Sequence, residues 1–401
     1  MRRLLFVDDE PSILEGLRQM LRPQRYQWEM AFAPNGEAAL ALMEASAFDV
    51  IITDMRMPGM DGASLLCRVR DKFPQVVRII LSGQTEISTA LRLVPVAHQF
   101  LAKPCDAEML RVAVERACHL KALLHDDSIR RTVGALGDLP SLPRTYEALT
   151  AALDDPDTSL QRIARIIEQD VGISAKILQL VNSAFFGVSR SITSIQNAVG
   201  YLGIHTLKSL VLSVEIFQVF KPKRPLQGFC LEDLQHHARL STHIAARLPV
   251  ARHLVDISIV AGMLHDVGKL ILAWKLPDQF EKLLAQAANE NWELYKVEEH
   301  EYGFSHAEIG AYLLGLWGLP YSVVEAVALH HRPNRVPHRN FDAVSAVHVA
   351  NILAHELEEP LYNVAVENDP LLEGLAGLGV EQELPHWRAM AAEAPALLAQ
   401  A

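Results

Sequence analysis

Five short apolar runs, each leading into a more polar or amphipathic stretch, occupy roughly the first 120 residues. That alternation restricts this part of the chain to a parallel sheet with helices on both faces. Leu4–Val7, Val50–Thr53 and Val77–Leu81 are mostly apolar and often β-branched, as buried strands require. Trp28–Ala33 and Gln99–Ala102 complete the set. Ser12–Arg22, Glu37–Ala45 and Ala63–Phe73 carry helical patterns between them. A last helix is expected from about Asp106, its N-cap, to Leu124. The segment Val133–Pro140 holds two glycines and a proline, which predicts a hinge.

From Pro143 to about Glu358 the period changes. Apolar residues recur at spacings of three and four, as in Leu160, Ile163, Ile166 and Ile167. The expectation is an α/β doubly wound domain at 1–124, a connecting segment at 125–137, an all-α domain at 138–358 and a tail at 359–401. The tail fits either packed helices or a loose end.

Charge narrows the function. The net charge is −11, and residues 1–125 contribute none of it. Duplex recognition needs phosphate-neutralising Lys and Arg, so a C-terminal portion this acidic is not expected to bind specific DNA. The first residues lack a secretory leader, and no run of about 18 consecutive apolar residues occurs. Four cysteines, none at disulfide or zinc-finger spacing, fit a reducing cytoplasm without membrane attachment.

The chemistry sits at strand ends. Asp8 and Asp9 follow the first strand, Asp54 the third, Ser82 the fourth and Lys103 the fifth. In an open doubly wound sheet these ends converge at the topological switch point. Clustered carboxylates repel one another unless a cation joins them, and Mg²⁺ suits an all-oxygen set. Pro58-Gly59 and Asp61-Gly62 supply turns after Asp54, and Pro104 fixes the backbone that aims Lys103, a role a cis bond would serve.

The ordered motifs Val-Asp-Asp-Glu, Thr-Asp-Met-Arg-Met-Pro-Gly-Met-Asp-Gly, Leu-Ser-Gly and Leu-Ala-Lys-Pro make Met1 to about Leu124 resemble the flavodoxin-like receiver domain of bacterial two-component response regulators. The resemblance implies that Asp54 takes a phosphoryl group from a sensor histidine kinase. It also implies that Asp9, Asp54 and the Arg56 carbonyl bind Mg²⁺ with help from Asp8, that Ser82 and Lys103 contact the phosphoryl group, and that Ser82 and Phe100 form the switch.

Fourteen of the 17 histidines lie after residue 126. His236, the pair His265-Asp266, His306, His330 and His331 resemble the ligand set of HD-type phosphohydrolases, including the cyclic-dinucleotide phosphodiesterases. Two departures count against activity. Asn351 stands where the last aspartate belongs, and Arg332-Pro333-Asn334-Arg335 replaces an acidic residue and Gly-Tyr-Pro. Leu139-Pro140-Ser141-Leu142-Pro143, Ile167-Glu168-Gln169-Asp170, Val181-Asn182-Ser183-Ala184-Phe185-Phe186 and Ala198-Val199-Gly200-Tyr201-Leu202-Gly203 resemble the HDOD family more closely. That resemblance implies a non-catalytic output module that engages other signalling proteins or a second copy of the chain. Its histidines are expected to be a hydrogen-bonded remnant rather than a divalent-metal centre. The alternative is a metal-dependent phosphodiesterase acting on a cyclic dinucleotide.

Overall fold

Strands β1 (Arg2–Val7), β2 (Trp28–Ala33), β3 (Val50–Asp54), β4 (Val77–Ser82) and β5 (Gln99–Ala102) form one parallel sheet in the order β2-β1-β3-β4-β5. This computed structural model describes residues 2–82, 96–103, 105, 107–119, 126–136, 139–141, 143–155, 157–182, 192–212, 218–219, 224–335, 340–358 and 380–398. Strands β1, β3 and β4 are apolar almost throughout because helices cover both faces. The helices are α1 (Pro11–Met20), α2 (Gly36–Ala45), α3 (Gly62–Lys72) and α4 (Ala107–His119). Side chains of Asn35 and Asp61 accept from backbone N–H groups of the first turns of α2 and α3 and set where those helices begin. The expected Asp106 cap and Pro104 lie outside the described residues.

Helix α5 (Asp127–Gly134) reaches the first two residues of the glycine-containing segment and is capped by the Asp126 carboxylate on the N–H groups of Ser128 and Ile129. Val133 and Leu136 are buried. Gly137 and Asp138 lie outside the described residues.

The helical part comprises α6 (Pro143–Asp154), α7 (Leu160–Ile167), α8 (Val171–Asn182), α9 (Ile195–Leu212), α10 (Leu231–Ala245), α11 (Val255–Leu264), α12 (Val267–Lys275), α13 (Pro277–Glu290), α14 (Leu294–Tyr302), α15 (His306–Leu316), α16 (Tyr321–Leu329) and α17 (Ala343–Leu357). A two-stranded parallel pair, β6 (Pro140–Ser141) with β7 (Gln218–Val219), is its small departure from an all-helical fold. Residues 252–275 are apolar enough to span a membrane by length and composition. They are interior instead: 78% of the most apolar window is buried, and the helix breaks at His265-Asp266.

The tail resolves in favour of packing for its last part. Helices α18 (Leu384–Ala392) and α19 (Ala394–Leu398) seat Leu384, Trp387 and Ala394 against Leu240, Ile244 and Leu353 of α10 and α17. The main core is continuous across the chain, from Leu4 and Ile52 in the sheet to Leu313 and Val347 in the helices.

Helices α4 and α5 pack against α15, so the sheet domain and the helical domain share a buried boundary. Arg78, on the strand that ends in Ser82, lies wholly inside it. Its Nε donates to the Val96 carbonyl at 2.6 Å, and its Nη2 donates to the Gly134 carbonyl at 2.7 Å. His98 accepts the Arg78 backbone N–H at Nδ1, and its Nε2 lies 2.7 Å from Arg78 Nη2 and 3.0 Å from the same Gly134 oxygen. Buried Tyr312 of α15 lies within electrostatic reach of Arg78.

Candidate functional site

Two groups of chemically able side chains stand out, one at each end of this architecture. At the carboxyl edge of the sheet the register brings Val7 beside Thr53, Asp54 beside Leu81 and Ser82 beside Ala102. The residues that follow these strands therefore meet. Asp8 and Asp54 are both buried. Lys103 Nζ donates to Asp8 Oδ2 at 2.7 Å and also to Asp54 Oδ1, so one ammonium joins two carboxylates. The free oxygen of Asp54, Oδ2, accepts the Arg56 backbone N–H at 2.6 Å, and Asp8 Oδ1 accepts that of Glu10 at 3.0 Å. Burial opposes the charge on Lys103, but its hydrogen bonds to the carboxylates of Asp54 and Asp8 outweigh it and hold the ammonium above its ordinary range.

Asp9, half-buried, follows Asp8 in the chain at the same edge, where Lys103 joins the carboxylates of Asp8 and Asp54. A net negative, all-oxygen donor set is what Mg²⁺ takes, and the sequence-expected residues Asp9, Asp54 and the Arg56 carbonyl fit it. The backbones of Ser82 and Phe100 lie at the end of β4 and within β5, while their side chains fall outside the described set.

The second group is built from histidines on five helices or their ends. Helix α11 stops at Leu264 and α12 starts at Val267, so adjacent His265 and Asp266 sit in the break and reach one centre. Gly268 lies just past the break: a Cβ there would lie 1.9 Å from the His306 carbonyl oxygen, so only glycine lets α12 approach α15 this closely. His330 and His331 follow α16, and His348, Asn351 and His355 line one face of α17.

One sequence expectation is corrected here. His236 is exposed, and His237 takes the place assigned to it. The signal was present: Leu234, His237, Ala238, Ser241 and Ile244 form the buried stripe of α10, and His236 falls off it. Glu298 and Glu358, which turn out to anchor histidines, carried no such signal.

The rings share a pattern. His237 Nδ1 donates to Glu358 Oε2 at 2.8 Å, His265 Nδ1 to the Gly262 carbonyl at 2.8 Å, His306 Nδ1 to Glu298 Oε2 at 2.6 Å, and His330 Nδ1 to the Val327 carbonyl at 2.7 Å. Each bond fixes a tautomer and turns Nε2 inward. Asp266 divides the centre. Its Oδ1 lies 3.1 Å from His306 Nε2 and 3.8 Å from His330 Nε2; its Oδ2 lies 3.4 Å from His265 Nε2 and 2.7 Å from Lys269 Nζ.

Burial resists the charge on Asp266, yet Lys269, His265 and His306 hold its carboxyl well below the usual range. Burial likewise opposes a proton on His306, but Glu298 and Asp266 push it up to about 9. Burial and neighbouring imidazoles keep His330 and His331 well below the usual histidine range, hence neutral. The expectation that these side chains satisfy one another fails at buried His330 Nε2, which has no hydrogen-bond partner, while Asp266 Oδ1 is met by His306, with its raised pKa, at 3.1 Å. The Arg332 guanidinium, next to His331 in the chain, pairs with Glu299 at 2.7 Å and stacks over Tyr295.

The description of the response regulator receiver domain matches residues 4–115, and that of the HDOD domain matches residues 139–333. The chain belongs to the receiver–HDOD response regulators. Among curated relatives, an uncharacterized protein of Treponema pallidum is 29% identical over 226 residues, covering 56% of this chain and 43% of that protein. The alginate biosynthesis transcriptional regulatory protein AlgB of Pseudomonas aeruginosa is 29% identical over 152 residues, covering 36% of this chain and 33% of its own. The chain thus spans less than half the length of these relatives. Among solved structures, the MmoQ response regulator of Methylococcus capsulatus is 20% identical, with 63% of this chain and 98% of that one covered at a TM-score of 0.49.

Proposed function

We propose that Asp54 accepts a phosphoryl group from a sensor histidine kinase and that the HDOD domain answers by engaging other signalling proteins rather than by catalysis. The observation that carries the phosphoacceptor reading is Lys103 held on both Asp8 and Asp54 at the sheet's carboxyl edge. An oxygen of Asp54 forms the new P–O bond as the kinase's P–N bond breaks. Lys103 then exchanges a carboxylate contact for the more highly charged phosphoryl oxygens. Mg²⁺ bound by Asp9, Asp54 and the Arg56 carbonyl would supply the remaining charge neutralisation.

The route onward follows the strand that carries Ser82. Arg78 on that strand grips Gly134 of α5, α5 packs on α15, and α15 begins with His306. A shift in β4 is thereby delivered to the helical domain, biasing a two-state element. Hydrolysis of a cyclic dinucleotide is disfavoured by Asn351, which withholds a charge from the histidine centre, and specific DNA binding by the acidic C-terminal portion.

The test is a comparison of partners captured by the chain with a phosphodonor and by Asp54→Asn under the same conditions. A phosphorylation-dependent partner that Asp54→Asn fails to retain supports the reading. Identical capture by both contradicts it, as does a sequence-selective, salt-sensitive gel shift.

A further inference from the structure

We propose that α18 and α19 form a strap over a helix-binding groove between α10 and α17, and that the helical domain engages a partner by taking the partner's amphipathic helix into this groove in the strap's place. The groove rests on the protein-contact reading above and gives it a surface and a kind of partner.

The groove is an apolar cluster of its own, separate from the main core. Leu240, Ile244 and Leu248 form its wall on the α10 side, and Val349 and Leu353 its wall on α17. Ala346, Ala350 and Ala354 recur at every fourth position of α17, so they share one face and leave room there for a large side chain. Helix α18 packs on α17 and α19 on α10, which buries Leu384, Trp387, Ala391 and Ala394. Trp387 also meets the Phe341 ring, with 5.1 Å between centroids. Among the described residues, every buried apolar side chain of the tail belongs to this cluster and none joins the main core. The strap can therefore leave as a unit while the core stays closed. What it leaves behind is a trough between two helices, the shape that takes a third amphipathic helix.

Charge at the rim says which helix fits. Arg388 forks the Glu356 carboxylate, Nε to Oε2 at 3.0 Å and Nη2 to Oε1 at 2.9 Å, and Arg247 Nη1 lies 3.7 Å from Glu393 Oε2. Without the strap, the groove presents the Glu356 carboxylate and the Arg247 guanidinium to an incoming helix. The partner helix is therefore one with an aromatic anchor where Trp387 stands, a basic residue beside it and an acidic residue where Glu393 stands. Both ion pairs are partly exposed, so they select register and direction more than they add affinity. The buried tryptophan is the side chain on which such attachment turns. A strap tethered to its own groove competes at a high effective concentration, so a free helix enters only when the strap is loosened.

The experiment titrates the full chain into a labelled synthetic peptide of residues 380–398 and reads fluorescence anisotropy. Neither phosphodonor nor partner is present, so its failure is separate from a failure of partner capture. Trp387→Asp, which loosens the strap, is expected to bind the peptide at micromolar concentrations, and the unmutated chain at least about tenfold more weakly. Adding Glu356→Arg to Trp387→Asp should weaken binding, and a peptide carrying Arg388→Glu should restore it. Where circular dichroism shows that Trp387→Asp does not fold, Arg388→Glu, a surface charge change in the strap, serves as the loosened chain. Equal binding by the loosened and unmutated chains, no binding by a folded loosened chain, or no rescue by the charge-reversed peptide would each overturn the proposal. So would a dimer of the unmutated chain in light scattering that Trp387→Asp abolishes, since the occupant would then be a second copy's strap.

Discussion

Arg78 Nη2 donates to the Gly134 carbonyl at 2.7 Å, across the boundary between the receiver sheet and the linker helix that leads to the HDOD domain. The same guanidinium donates to the carbonyls of Pro74, Val76 and Val96. A fully buried arginine thus finds carbonyl partners at Nε, Nη1 and Nη2 without a carboxylate. Burial still lowers it to about 9, since a charge in the interior is disfavoured even when hydrogen-bonded.

Removing this grip should loosen the domains. Arg78→Met leaves the Val96 carbonyl without its Arg78 donor and the Gly134 carbonyl with His98 alone. A loss of about 3 kcal/mol is expected in urea unfolding. Gly134→Ala attacks the same contact from the other side, because its Cβ would meet the Pro74 carbonyl oxygen at 2.3 Å. Both variants should show faster amide exchange in residues 127–134 than the unmutated chain. Protection unchanged in both would show that the contact carries no coupling.

His98 makes this boundary sensitive to pH. Burial, then the charge of Arg78, holds its pKa well below the ordinary value near 6.5. The folded state therefore keeps His98 neutral, while the unfolded chain takes up a proton near 6.5. Its contribution is fully present above that pH and is lost as pH falls below it. His98→Gln, which retains a donor for Gly134, should flatten the fall in melting temperature between about pH 7 and pH 5. An unchanged slope would place the titrating groups elsewhere.

Much of the receiver was legible because its signals are local. Each strand is a short apolar run, and Asp8, Asp54 and Lys103 fall at strand ends whatever the tertiary details. The helical centre was legible in composition but not in geometry. His236 and His237 are adjacent, and only the buried stripe of α10 separates them. Glu298 and Glu358 act on rings far from them in sequence, and no spacing rule links such pairs. The contacts that hold α5 come from Arg78 and α15, which are distant in sequence and which no local signal in the connecting segment reports.

No turnover of a cyclic dinucleotide is expected with Mn²⁺, Fe²⁺ or Mg²⁺, because metal-assisted hydrolysis needs an open coordination position and a firmly held cation beside it. Product release measured by chromatography over hours should match the no-enzyme control. Sustained release that His265→Ala abolishes would restore the phosphodiesterase alternative.

The central claim is that Asp54 is the phosphoacceptor, and mass spectrometry of the intact chain after incubation with a small phosphodonor and Mg²⁺ tests it most directly. One phosphoryl group per chain is expected, absent in Asp54→Asn and reduced in Asp9→Asn, which removes a carboxylate from the Mg²⁺ donor set. Undiminished labelling of Asp54→Asn would contradict the account.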